Sequence, residues 1–152
     1  MKTIPLLYSS VLLLTLIGGL RAETAGVKTI NIAAYDTMNY SVKHIEAHPG
    51  QKLVVILTNK GTLPKKVMAH NWILLKAGAS ADTYAKEALK VNDFEPKELA
   101  NEVIASVHAL GPNESGTASF TLPLVPGTYQ YLCTAVGHTM GGTGMRGVLI
   151  VK

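Results

Sequence analysis

Cys133 is followed five residues on by His138, and then by Met140 and Met145. A thiolate, an imidazole and thioethers on one stretch make a soft donor set, better suited to copper than to zinc or magnesium. A trigonal copper centre joins the thiolate to two histidines and adds a weak axial thioether. The further histidine must come from elsewhere, and the candidate is His70, in Val67-Met68-Ala69-His70-Asn71-Trp72. His70, Cys133 and His138 would form the strong ligand plane around one copper ion. Met145 is the axial choice, with Met140 as the alternative. Such a set is suited to passing single electrons.

Each residue taken alone has a plainer reading. A buried free cysteine behaves as a small hydrophobe, and a strand histidine is ordinarily a satisfied structural residue. The joint spacing of Cys133, His138 and Met145 outweighs those readings. Met38 and Met68 are assigned to the core, and His44, His48 and His108 to the surface. No carboxylate pair or Ser/His/Asp set stands out for catalysis. The chain also lacks a His-x-His pair, which argues against a multicopper enzyme, so it is read as a non-enzyme. The competing function is a copper carrier or store without redox turnover, for which methionines on a flexible loop would serve.

The flanks of these residues carry a wider pattern. Pro64-Lys65-Lys66 leads into the His70 segment, Thr134 follows Cys133, Gly137 precedes His138, and Met145-Arg146-Gly147 leads into a closing strand. Asp36, Met38 and Tyr40, the run Thr58-Asn59-Lys60-Gly61, and Val103-Ile104-Ala105 also fit. Together they resemble the azurin family of blue copper proteins, within the cupredoxins, from Val27 to Lys152. The resemblance implies an all-β, eight-stranded Greek-key β-sandwich, a type 1 copper near one end, and electron transfer. It also implies that the Ala69 carbonyl is a weak axial neighbour and that Asn71 holds the cysteine loop by hydrogen bonds. His138 would present an edge near the surface within an apolar ring. Gly137, Thr139 and the run from Gly141 to Gly144 would shape a docking patch for transient redox partners of cytochrome, oxidase or reductase type. Departures accompany the match. The loop from His138 to Met145 is longer than the family's and is filled by Gly141, Gly142 and Gly144. Ala135 and Val136 stand where the family has Phe-Pro. A single cysteine cannot form the family's internal disulfide.

Strand alternation explains how the donors reach one place. Along a strand over 68–75, His70 and Trp72 share a face; along 128–133, Tyr129, Tyr131 and Cys133 do the same. Each ligand would therefore end a core-facing row. The remaining strands are read at 27–33, 40–46 (an edge strand with Tyr40, Val42, His44 and Glu46 on one face), 51–58, 102–107, 117–122 and 146–152. Many short strands with Gly/Pro turns indicate a sandwich or barrel. One short external helix is read over 81–90, capped by Ser80, with Ala81, Tyr84, Ala85, Ala88 and Leu89 as its apolar stripe.

With 152 residues, 47% of them hydrophobic, the chain suits one domain with a real core. Lys2, an apolar run from Ile4 to Leu20 and Leu20-Arg21-Ala22 before Glu23 read as a secretory signal cleaved after Ala22. That leaves a periplasmic, monomeric domain over 23–152. An uncleaved membrane anchor is the alternative. Loss of Lys2 and Arg21 leaves 12 basic against 10 acidic residues, a net charge of +2. So mild a charge, with no basic stretch interleaved with aromatics, argues against nucleic-acid binding. A lone cysteine is unusual in an exported protein, and a metal explains its presence.

Overall fold

The computed structural model describes residues 26–139 and 144–152. The segment read as a signal, together with Met140, Gly141 and Gly142, lies outside the described residues. The described chain forms strands β1 (Lys28–Tyr35), β2 (Asn39–Tyr40), β3 (His44–Ala47), β4 (Lys52–Asn59), β5 (His70–Leu75), β6 (Val103–Leu110), β7 (Ser115–Thr121), β8 (Gly127–Leu132) and β9 (Arg146–Val151). One sheet has the order β2-β1-β4-β7 and the other β3-β9-β8-β5-β6. β1 runs parallel to β4 and β3 parallel to β9, and the other pairings are antiparallel. This is the Greek-key sandwich expected, with one of its eight strands divided in two.

The divided strand is the one read over 40–46. β2 pairs with β1 in the first sheet, whereas β3 pairs with β9 in the second. The chain crosses between them at residues 41–43, where Ser41 N donates to the Ala33 carbonyl (2.8 Å) and Ala33 N to Ser41 Oγ (2.8 Å). The core lies on opposite sides of two facing sheets, so a strand that changes sheet must change which side chains face inward. Tyr40 points in before the crossing; Ile45 and Ala47 point in after it, with His44 and Glu46 outside. The single face proposed for Tyr40, His44 and Glu46 is thereby corrected.

Between the sheets, Ile32, Leu53 and Leu57 of the first meet Trp72, Leu74, Tyr131 and Leu149 of the second. Trp72 packs between Phe120 and Tyr131, at ring-centroid distances of 6.0 and 5.6 Å. β5 is buried on both faces, because its outward residues Ile73 and Leu75 lie with Leu132 under a helix. A one-turn helix, α1 (Lys65–Met68), comes first and shortens the strand read from residue 68, so that β5 begins at His70. The covering helix is α2 (Ala81–Ala88), with Ser80 Oγ accepting from Thr83 N at 3.2 Å. It seats Ala81 and Tyr84 on Ile73, Leu75 and Leu132, outside the sandwich as expected. Leu89 lies beyond its end and is 40% exposed. Met38 and Met68 are not core residues: Met38 sits in the β1–β2 turn at φ 54 and is 39% exposed, and Met68 is half-buried. His44, His48 and His108 are exposed.

Candidate metal centre

β5 and β8 lie side by side and antiparallel, with Ile73 opposite Leu132. His70 opens β5 and Cys133 follows the end of β8, so both emerge at the same end of the sandwich. Alternation sends Leu132 outward to α2 and Cys133 inward, on the row of Tyr129 and Tyr131. Beyond Cys133 the chain turns, with His138 N donating to the Ala135 carbonyl at 3.1 Å. The turn brings His138 Nδ1 to 3.1 Å from Cys133 Sγ. His70 completes the group: one donor atom from each of His70, Cys133 and His138 lies within 4.8 Å of the others, and all three residues are buried. The two imidazole rings are 4.8 Å apart, centroid to centroid.

The donor set fits a soft metal ion. Both ring nitrogens of His70 are buried without a hydrogen-bond partner among the described residues. An unpartnered buried polar group costs roughly 1–3 kcal/mol, and a metal bond to one nitrogen would offset that cost. A thiolate with two imidazoles is the plane that copper favours.

Met145 is fully buried and packs in the same core cluster as Cys133. Its carbonyl accepts from Cys133 N (2.9 Å) and its N–H donates to the His138 carbonyl (2.8 Å). The backbone thus ties it to two of the three donor residues. Gly144 permits that approach: its φ is +109, and a Cβ there would lie 2.3 Å from the His138 carbonyl oxygen, which only glycine avoids.

Asn71 ties the two donor segments together, as the family resemblance implied. Its Nδ2 donates to Thr134 Oγ1 (2.6 Å), its Oδ1 accepts from Thr134 N (2.7 Å), and its own N–H points to Cys133 Sγ (3.5 Å). Three hydroxyls whose partners the sequence did not give extend this frame. Thr134 Oγ1 donates to the Phe94 carbonyl (2.7 Å), Thr139 Oγ1 donates to the Cys133 carbonyl (3.1 Å), and Tyr40 donates to the Asn71 carbonyl. Hydroxyl partners leave no periodic trace, so no signal in the chain marks them.

One expectation fails. His138 retains only 2% of its surface, and Thr139 is buried as well. The turn closed on Ala135 rotates the imidazole inward to the sulfur and commits the Thr139 hydroxyl to the backbone. The exposed neighbours are instead Val136 and Gly137.

Burial governs the protonation states. It pushes the Cys133 thiol up to about 11, against the opposing effect of the N–H groups of Asn71 and Ala135 on the sulfur. It pulls His138 down to about 4, with the charge of His70 adding to the effect. It lowers His70 as well. The imidazoles therefore stand neutral and ready to ligate, and the thiol gives up its proton when metal binds. A consequence follows for the metal-free protein. As pH falls from the ordinary histidine value of 6.5 towards 4, the unfolded chain takes up protons that buried His138 refuses, so stability falls. As pH rises from 9 towards 11, the unfolded thiol ionises first, and stability falls again. The melting temperature of the metal-free protein should be highest between those windows. A His138→Gln variant, compared across the same pH series by thermal unfolding, should lose part of the acid-side slope.

A family model described as copper-binding proteins of the plastocyanin/azurin family matches residues 27–152. The chain is similar to azurin of Pseudomonas chlororaphis, 31% identical over 134 residues that cover 81% of this chain and 97% of that protein. Among solved structures it is similar to dithionite-reduced auracyanin from the photosynthetic bacterium Roseiflexus castenholzii, with a TM-score of 0.71, 35% identity, and coverage of 82% of this chain and 97% of that one. It is also similar to auracyanin A, a "blue" copper protein from Chloroflexus aurantiacus, with a TM-score of 0.72, 28% identity, and coverage of 83% and 99%. Among the described residues, no helix is long and apolar enough to cross a membrane.

Proposed function

The chain belongs to the plastocyanin/azurin family of copper-binding proteins, and from that premise we propose that it carries single electrons between redox partners through one type 1 copper site. The observation that carries this reading is the buried convergence of His70, Cys133 and His138, with both His70 nitrogens unpartnered among the described residues. In this reading the Cys133 thiolate and the imidazoles of His70 and His138 would be the strong donors to the copper, and the Met145 thioether and the Ala69 carbonyl would be weaker ones. Bound copper supplies the one-electron couple. The protein's part is to hold the donors still. Asn71 and Thr134 lock the two donor segments together, and the packed sandwich below them resists rearrangement, so electron transfer needs little motion.

The partners are brief encounters. Val67 of α1 and Val136 of the cysteine loop, each 66% exposed, and Met38 of the β1–β2 turn lie at the donor end. So small an apolar surface suits weak redox docking rather than a stable complex. We place the working protein in the periplasm as a monomer, after removal of residues 1–22. No catalytic step is proposed. A copper carrier needs donors that open for exchange, and the burial of all three favours the redox reading over it.

The test is visible absorption, electron paramagnetic resonance and voltammetry on the purified protein loaded with Cu(II). An intense thiolate-to-copper band, narrow hyperfine splitting and a reversible one-electron wave are expected. A pale spectrum with wide splitting would overturn the reading in favour of a carrier.

A further inference from the structure

Strand β9 starts directly after Met145, and Met145 and the strand's first residue, Arg146, face opposite ways. Met145 points into the core beside Cys133. Arg146 stands opposite Leu132, on the outer side of the sheet that α2 covers. There one guanidinium nitrogen, Nη2, donates both to Asp82 Oδ1 in the first turn of α2 (2.5 Å) and to the Thr139 carbonyl (2.9 Å). Thr139 in turn holds the Cys133 carbonyl through its hydroxyl (3.1 Å). The Met145 N–H on the His138 carbonyl (2.8 Å) and the Arg146 N–H on the Gly144 carbonyl (2.8 Å) lie alongside.

We propose that the external helix braces the two ends of the ligand loop: Asp82, acting through Arg146, positions Thr139 beside His138 and the backbone of Gly144 and Met145. Neither member of the pair belongs to the donor set, so both are positioning residues. This inference rests on the copper reading above for its spectroscopic consequence only.

Three features support the brace. The stretch between His138 and Met145 is long and glycine-rich, so chain connectivity alone constrains the two residues weakly. The Arg146 side chain is 19% exposed, so its charge-assisted bonds are screened less than those of a surface pair. The helix does not need the pair to stay docked, since Ala81, Tyr84 and Ala88 are buried and Ser80 caps the first turn. Asp82, itself 70% exposed, lies in that first turn, where a negative charge is favoured. Its removal therefore touches the helix as well as Arg146, which is why a variant that weakens the helix alone is needed beside it.

The experiment compares Asp82→Ala, Arg146→Ala, Arg146→Lys and the double alanine variant with Ser80→Ala, which weakens the helix without touching Arg146. In the metal-free protein, amide exchange at Met145 reports the brace directly. It should quicken roughly fivefold in Asp82→Ala and Arg146→Ala, as for loss of one partly buried charged pair, and not in Ser80→Ala. In the copper-loaded protein, the same two variants should shift the hyperfine splitting and speed copper loss to a chelator. Arg146→Lys should restore most of both, because a single nitrogen makes both contacts. The double variant should be no worse than either single one. Wild-type Met145 exchange in Asp82→Ala, or an equal change in Ser80→Ala, would overturn the brace. A pale wild-type copper spectrum would overturn the copper reading instead, while the exchange measurement still decides the brace.

Discussion

Replacing Cys133 with serine should abolish the intense visible band of the copper-loaded protein and weaken Cu(II) binding by roughly two to three decades. A structural four-ligand metal site is worth roughly 10–16 kcal/mol, so one strong ligand accounts for about 3–4 kcal/mol of it. The band itself comes from charge transfer between thiolate sulfur and copper, and an alcohol at that position supplies neither the soft donor nor the transition. Fold loss would not explain the result. The side chain is close in size, it sits in a pocket that already raises the thiol to about 11, and the Asn71 N–H at 3.5 Å from the sulfur remains to meet a hydroxyl. The metal-free variant should therefore melt within a few degrees of wild type. Titration with Cu(II) against a competing chelator, followed by absorption and circular dichroism, separates the two effects. A blue band that survives in Cys133→Ser would remove this residue from the ligand set.

Replacing Gly147 with alanine should cost about 3 kcal/mol of stability, the upper range for overpacking a core. Gly147 stands opposite Tyr131 on the neighbouring strand. A Cβ there would lie 2.1 Å from Tyr131 Cζ and 2.3 Å from its hydroxyl. An exposed tyrosine would swing aside at little cost, but this ring is fixed. Tyr131 is fully buried, packs against Tyr40 and Trp72 at 5.8 and 5.6 Å, and donates its hydroxyl to the Val42 carbonyl at 2.8 Å. The clash would force β8 and β9 apart just below the point where Cys133 N meets the Met145 carbonyl. A broadened copper spectrum should then accompany the stability loss. Gly127→Ala is the control in the same ladder. Its nearest non-neighbour atom would be 3.9 Å from the new Cβ, and its urea midpoint should stay close to wild type. Equal midpoints for Gly147→Ala and Gly127→Ala would show that the Tyr131 ring yields, against the packing argument.

The donors were legible in the chain because their chemistry is local. Cys133, His138 and Met145 share one loop, and two-residue alternation is enough to put Cys133 on a core-facing row and His70 at the lip of another. The external helix was legible for the same reason: Ser80 caps it within one turn and its stripe repeats at helical spacing. The strand read over 40–46 was misjudged because alternation assumes a single sheet, and nothing in Tyr40 to Glu46 announces that the chain changes sheets and reverses its inner face at Ser41. The exposed edge that the family resemblance implied for His138 failed because the turn onto Ala135 brings the ring to the Cys133 sulfur and buries it, and a resemblance in ligand motif does not carry a ring's exposure with it.

By itself, then, the sequence determined which donors exist, that they are soft, that a strand-rich sandwich carries them and that its last strand closes beside them. These are matters of residue type and short-range periodicity. Only the tertiary structure decided how the donors are held. Asn71 meets Thr134 across 63 positions of sequence and Arg146 meets Asp82 across 64. Hydrogen bonds and ion pairs of that span depend on which backbone surfaces the two sheets and the helix bring together, and no pattern along the chain encodes that.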